Sequence, residues 1–188
     1  MKKLAVLFSG IGYSLERPLL YYAKKLAEEM EYEVISIGFK DLPEKKEGAD
    51  NAKWLKEVIE AADKQTKKAL KGVKFGDYED IIFISKSVGT VAAAKFAYEN
   101  ELETRQVFFT PLDQAFDYHR TEKGVAYVGT SDPWAPMDEI RVRCRKNKYT
   151  MRIIDDGNHS LETGKVVTDL DNFAGVMREL SVVMGGVI

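Results

Sequence analysis

Three residues of this 188-residue chain have the types and the order needed for nucleophilic chemistry: Ser87, Asp132 and His159. Ser87 sits in Ile-Ile-Phe-Ile-Ser-Lys-Ser-Val-Gly-Thr, residues 81–90, where four apolar residues run into a turn of small residues. A serine hydroxyl is barely nucleophilic at neutral pH and needs a general base within hydrogen-bond reach. His159, in Gly-Asn-His-Ser, is of the type to supply that base. Asp132, in Gly-Thr-Ser-Asp-Pro-Trp, is of the type to hold the imidazole in one tautomer and stabilise its cation. A structural role competes at each position. Ser85 and Ser87 would cap a helix, Asp132 would open a turn before Pro133, and His159 would be an exposed loop residue. Asp155 and Asp156 are rival acids, but they directly precede the histidine loop and would need a sharp reversal to reach its ring.

The elements around these residues follow from the hydrophobic pattern. Ile81 to Ile84 reads as a strand buried on both faces, and the run from Val91 to Ala97 is rich in helix formers. Strand, tight turn and helix is the setting that strains a serine outward, with Ser85 and Gly89 small enough to relieve crowding and the helix N-terminus supplying free amides. Further strands are predicted at Leu4–Phe8, Val34–Gly38, Gln106–Thr110, Val125–Gly129 and Tyr149–Ile154. Helices between them should turn inward Leu19, Tyr22, Ala23, Leu26, Ala27 and Met30 in the first, and Leu55, Val58, Ile59, Ala62, Thr66 and Ala69 in the second. Met137, Ile140 and Cys144 mark the inner face of a later helix. The last is marked by Leu170, Phe173, Ala174, Met177, Leu180 and Met184. Alternating strands and helices predict an α/β fold: a doubly wound, mostly parallel six-stranded sheet with helices on both faces, as a single domain over residues 1–188. Ligands of such sheets bind beyond the carboxyl ends of the strands, which is where Ser87, Asp132 and His159 fall.

Composition narrows the function classes. A formal net charge of -2 offers no basic footprint for nucleic acid and no polybasic membrane patch. No apolar run approaches the roughly 20 residues of a membrane span. Cys144 is the only cysteine, so no intramolecular disulfide forms, and the expected location is cytoplasmic. The start, Met1 to Phe8, imitates a signal peptide but reads as the first strand.

With these residues in order at successive strand ends, the sequence resembles the α/β-hydrolase superfamily over essentially its whole length, as a compact member. Ser85 stands in place of the first glycine of the family's G-x-S-x-G turn, and Gly-Thr-Ser-Asp-Pro-Trp and Gly-Asn-His-Ser are similar to its acid and histidine loops. The resemblance implies a chain that begins at the superfamily's third strand, lacking the two N-terminal strands. It implies a serine hydrolase, carboxylesterase-like, in which Ser87, Asp132 and His159 cleave a small or exposed ester through an acyl-enzyme, with no cofactor and no metal. It also implies oxyanion donors at the backbone N–H groups of Ile11 and Val88, with Gly10 as the alternative. Only a short segment, Pro111 to Lys123, stands where larger relatives insert a lid. The site should then be shallow, bordered by Tyr13, Phe116, Tyr118, Trp134 and Met137. His119, the only other histidine, is expected at the rim or facing substrate, and Lys86 is expected to point away from the Ser87 hydroxyl.

Two alternatives stay open. Gly10-Ile11-Gly12 follows a strand and precedes a helix, as in dinucleotide-binding folds, although Leu15 stands at the third glycine and no acidic residue clearly ends the second strand. The other is a hydrolase-like fold used for binding, with the three residues idle. Nothing in the spacing separates ester from thioester or amide, or speaks to subunit count.

Overall fold

The computed structural model describes residues 2–118 and 124–186. Six strands form one sheet: β1 (Lys3–Phe8), β2 (Glu33–Ile37), β3 (Asp80–Lys86), β4 (Arg105–Phe109), β5 (Gly124–Gly129) and β6 (Thr150–Ile154). Their order is β2-β1-β3-β4-β5-β6, and every pairing is parallel. The strand order reverses direction between β1 and β3, which opens a crevice at their carboxyl ends.

Side-chain alternation along the strands sorts the core into two layers. Ala5, Leu7, Ile82, Ile84, Val107, Phe109, Val125 and Tyr127 face α1 (Pro18–Glu29) and α5 (Val166–Val183). Phe108, Ala126 and Val128 face α2 (Asn51–Ala69), α3 (Val88–Glu99) and α4 (Met137–Lys146). Leu4, Val6, Phe8, Ile81 and Phe83 pack on α3 residues Ala93, Phe96 and Ala97 on that same side. The central strands are buried on both faces, which explains their unbroken apolar runs.

The strands match expectation within a residue or so, but three helix faces are rotated from it. On α1 the buried line is Leu19, Leu20, Ala23 and Ala27, and Tyr22 is exposed. On α2, Trp54 is buried, Leu55 and Ile59 only partly so, and Ala69 is exposed. On α5 the sheet contact runs through Phe173, Val176 and Leu180, leaving Leu170 and Ala174 outward. In each case the apolar stripe is wider than the contact, and the neighbouring elements select which part is covered. Asp50 caps α2, its Oδ1 accepting the Lys53 N–H at 2.8 Å. Ile140 and Cys144 are buried as expected. No described helix is long and apolar enough to cross a membrane.

Candidate active site

The turn between β3 and α3 carries Ser87 at φ 54° and ψ −123°, a conformation that costs a non-glycine residue free energy. Its N–H still reaches back to the Phe109 carbonyl at 3.1 Å, and its carbonyl accepts from the Thr90 amide at 2.9 Å and the Thr90 hydroxyl at 2.6 Å. Both sides of the serine are therefore pinned. The turn is possible because the two glycines packed against it carry no side chain: a Cβ on Gly89 would overlap the Ser9 carbonyl oxygen, and one on Gly10 would stand 3.1 Å from the Ser87 Cβ. Ser85, in the position of the first glycine, is fully buried and donates to the Val107 carbonyl at 3.2 Å. Ser87 occupies the N-cap position of α3 but makes no capping bond with its side chain.

That hydroxyl is hydrogen-bonded instead to His159 Nε2, at 2.8 Å. His159 Nδ1 in turn stands 2.9 and 2.8 Å from the two oxygens of Asp132. A carboxylate can only accept, so Nδ1 carries the ring proton and the Nε2 lone pair faces Ser87. Asp132 is buried, and its Oδ1 also accepts the amides of Trp134 at 2.8 Å and Ala135 at 3.3 Å. It does open a turn, as the structural role required, and it holds the imidazole as well. Asp155 and Asp156 are both exposed.

The two loops that carry acid and imidazole are tied together. Ser131 N–H donates to the Gly157 carbonyl at 2.9 Å, Thr130 N–H to Ile154 at 3.1 Å, and Asp156 N–H to the Thr130 hydroxyl at 2.8 Å. A Cβ at Gly129 would overlap the Gly157 carbonyl oxygen, so glycine is what permits this approach.

Burial would raise the Asp132 pKa, but the hydrogen bond and charge of His159, the Trp134 amide and the charge of Lys86 together hold it below the usual carboxylate range. The His159 pKa is lowered, chiefly by burial. Asp132 opposes that shift and the charge of Lys86 adds to it. Both the burial and the nearby ammonium favour the neutral ring.

Beside Ser87 and His159 is a pocket of about 120 Å³ lined by Ile11, Trp54, Leu55, Leu112 and Trp134. The Trp54 and Trp134 rings meet at 5.9 Å, and Trp134 also faces the His159 ring at 6.4 Å. Trp54, Leu55 and Leu112 were absent from the expected border. Trp54 belongs to a helix far from the strand ends in sequence, and its indole N–H is fixed by the Pro43 carbonyl at 2.8 Å. A larger groove of about 720 Å³ runs against α5, at the opposite ends of β4, β5 and β6, and none of the three residues lines it.

Other residues of the expected border lie away from this pocket. Tyr13 is buried beneath the site, its hydroxyl accepting the Leu19 amide at 3.1 Å, because the loop folds back through a Gly10–Tyr13 bridge. Phe116 is core, stacked edge-on against Phe108. Tyr118 packs on Tyr98 and lines a different surface depression. Met137 opens α4 and packs on the core from there, with its sulfur accepting from Arg141. Trp134 alone of that set reaches the pocket. His119 lies outside the described residues. The Gly10 N–H donates to the Tyr13 carbonyl at 3.0 Å and is spent there. The N–H of Val88 begins α3, and Ile11 lines the pocket. The dinucleotide alternative meets a contrary geometry: α1 starts at Pro18, six residues past Gly12, so its N-terminus does not open at the glycine loop.

No family model matches the chain, and no curated protein matches it. Solved structures do. An alpha-beta serine hydrolase homologue from Coxiella burnetii superposes with a TM-score of 0.67 at 13% identity, covering 95% of this chain and 85% of that one. A lidless α/β serine hydrolase from Xanthomonas campestris gives 0.62 at 12% identity, over 95% and 80% of the two chains. Est1E from Butyrivibrio proteoclasticus, with ferulic acid bound, gives 0.61 at 14% identity over 96% and 90%. The chain therefore has the α/β-hydrolase fold. Within that fold it is a compact form: six parallel strands, and between β4 and β5 the described residues hold only one short 3-10 turn, Asp113–Asp117.

Proposed function

We propose that the chain, acting as one domain over residues 1–188, is a serine hydrolase that cleaves small or exposed carboxylic esters through an acyl-enzyme. The observation that carries this reading is the continuous hydrogen-bonded line from Ser87 Oγ through the His159 ring to Asp132. As Oγ attacks the ester carbonyl, Nε2 takes its proton, and Asp132 stabilises the imidazolium that results. The carbonyl oxygen becomes an oxyanion against the N–H groups of Val88 and Ile11. Collapse of the tetrahedral intermediate breaks the bond to the alkoxide, which leaves with the proton from His159. Water then attacks the acyl-serine, with His159 as base, and releases the acid and free Ser87.

The small pocket and its tryptophan wall favour a short acyl group or a flat leaving group over a long lipid chain. No cofactor or metal is needed for any step. The test is labelling with a fluorophosphonate, followed by a panel of short-chain aryl esters, thioesters and amides. Wild type should label and hydrolyse the esters fastest, and Ser87→Ala should do neither. A folded wild type that fails to label would leave the fold with a binding role.

A further inference from the structure

Lys86 directly precedes Ser87, and its side chain turns down into the protein, where it is 1% exposed. Burying an ammonium is costly unless its protons find partners. Among the described residues Nζ has one hydrogen-bond acceptor, Thr110 Oγ1 at 2.5 Å, and it sits 5.1 Å from the centre of the Tyr13 ring. The Thr110 hydroxyl passes the connection on, donating to the backbone carbonyl of His159 at 3.1 Å. Thr110 is itself held at φ 44°, its N–H bonded to the Tyr127 carbonyl at 2.8 Å. The Lys86 stem also limits the β1 loop, since a Cβ on Gly10 would stand 3.1 Å from Lys86 Cγ. One buried side chain therefore touches the loop that carries Ile11, the end of β4 and, through a single hydroxyl, the backbone of the imidazole.

We propose that Lys86 is a positioning residue of this site, tying the nucleophile turn to the histidine loop through Thr110 and placing a positive charge beneath the Asp132–His159 pair. This rests on the serine hydrolase reading above. Such a charge disfavours a proton on His159 and favours the ionised Asp132, so it biases the pair towards the state in which Nε2 can accept the Ser87 proton. The charged and titratable groups around Lys86 are Asp132 from the loop after β5, Glu162 and His159 from the loop after β6, and Tyr13 from the loop after β1, with Arg17 over that ring. Desolvation lowers the Lys86 pKa to about 7, while the charges of Asp132 and Glu162 resist that fall. Burial lowers the His159 pKa from its ordinary value, and the charge of Lys86 adds to that fall.

Two variants separate the two parts of this role. Lys86→Met keeps the length of the stem and removes the charge, and Thr110→Val keeps the shape and removes the link. The direct readout is the imidazole titration of His159 by NMR, in a chain with only one other histidine. Lys86→Met should raise the His159 pKa, and Thr110→Val should move it little. On an aryl ester both variants should lose kcat on the order of 10- to 100-fold, with KM nearly unchanged, as expected when reacting groups are misplaced. Thr110→Ser should restore most of that loss. An unmoved His159 titration in Lys86→Met, or kcat unchanged in both variants, overturns the proposal. A wild type with no turnover counts against the hydrolase reading alone, because the titration is read without turnover and then decides the role of Lys86.

Discussion

At the scale of single residues, opposed influences act on one imidazole. Asp132 pulls a proton towards His159, while burial and the nearby ammonium push it away, and the net shift is downward from 6.5. Only the neutral ring can accept the Ser87 proton. The kcat/KM of ester cleavage should therefore rise with pH to a plateau, with its midpoint below 6.5, as a pH–rate profile would measure. A midpoint above 7 would contradict it. Asp132→Asn keeps the shape but offers an amide to Nδ1, which reverses the tautomer. By comparison with other Ser-His-Asp sites, kcat should fall about 10⁴-fold. That Ser87, Asp132 and His159 would meet was legible because each follows a strand, and a parallel sheet gathers its strand ends. The placement of the aromatic side chains was not. Tyr13 and Phe116 also follow strands, yet whether such a ring faces outward depends on how its loop folds back, here through the Gly10–Tyr13 bridge. Trp54 comes from α2, where no motif marks it.

At the scale of elements, the geometry depends on close backbone approaches between loops. The loops after β5 and β6 meet where Gly129 faces Gly157, and α3 meets the loop after β1 where Gly89 faces Ser9. Small residues at these points were visible in the sequence, but their partners were not, since neither pair is close in the chain. Gly129→Ala should push the histidine loop away from β5. The expected cost is about 1–3 kcal/mol of stability, measured by denaturant unfolding, with a fall in kcat larger than the stability loss explains. Unchanged kcat in a folded Gly129→Ala would mean that the two loops adjust independently. Helix faces show the same division of information. Periodicity located α1, α2 and α5, yet which part of each stripe is covered depends on neighbours, so Tyr22 and Leu170 face outward and Leu20 and Val176 inward.

At the scale of the whole molecule, Lys86 sets a cost that should be visible in stability. A base whose folded pKa is depressed binds fewer protons folded than unfolded, so stability must rise with pH between the two values. For Lys86 that window runs from about 7 to the ordinary value of 10.5. The slope it contributes is up to about 1.4 kcal/mol per pH unit. The buried tyrosines act in the opposite sense: Tyr13 is pushed up to about 12 by desolvation, and Tyr127 and Tyr149 are raised for the same reason. They keep their protons when folded and would lose them when unfolded above about pH 10, so stability should fall there. The unfolding free energy should accordingly climb from neutral pH, crest near the tyrosine range and then decline. In Lys86→Met the climb should flatten, with stability at pH 7 equal to or above that of wild type, because replacing a desolvated charge by an apolar group of similar size is often neutral or stabilising. Urea unfolding at several pH values would measure both curves, and an unchanged climb in the variant would place its origin elsewhere. On the proposed mechanism, a chain that keeps such a lysine under Ser87 gives up stability at the pH where His159 must stay unprotonated, which ties the ionisation of the site to the stability of the fold.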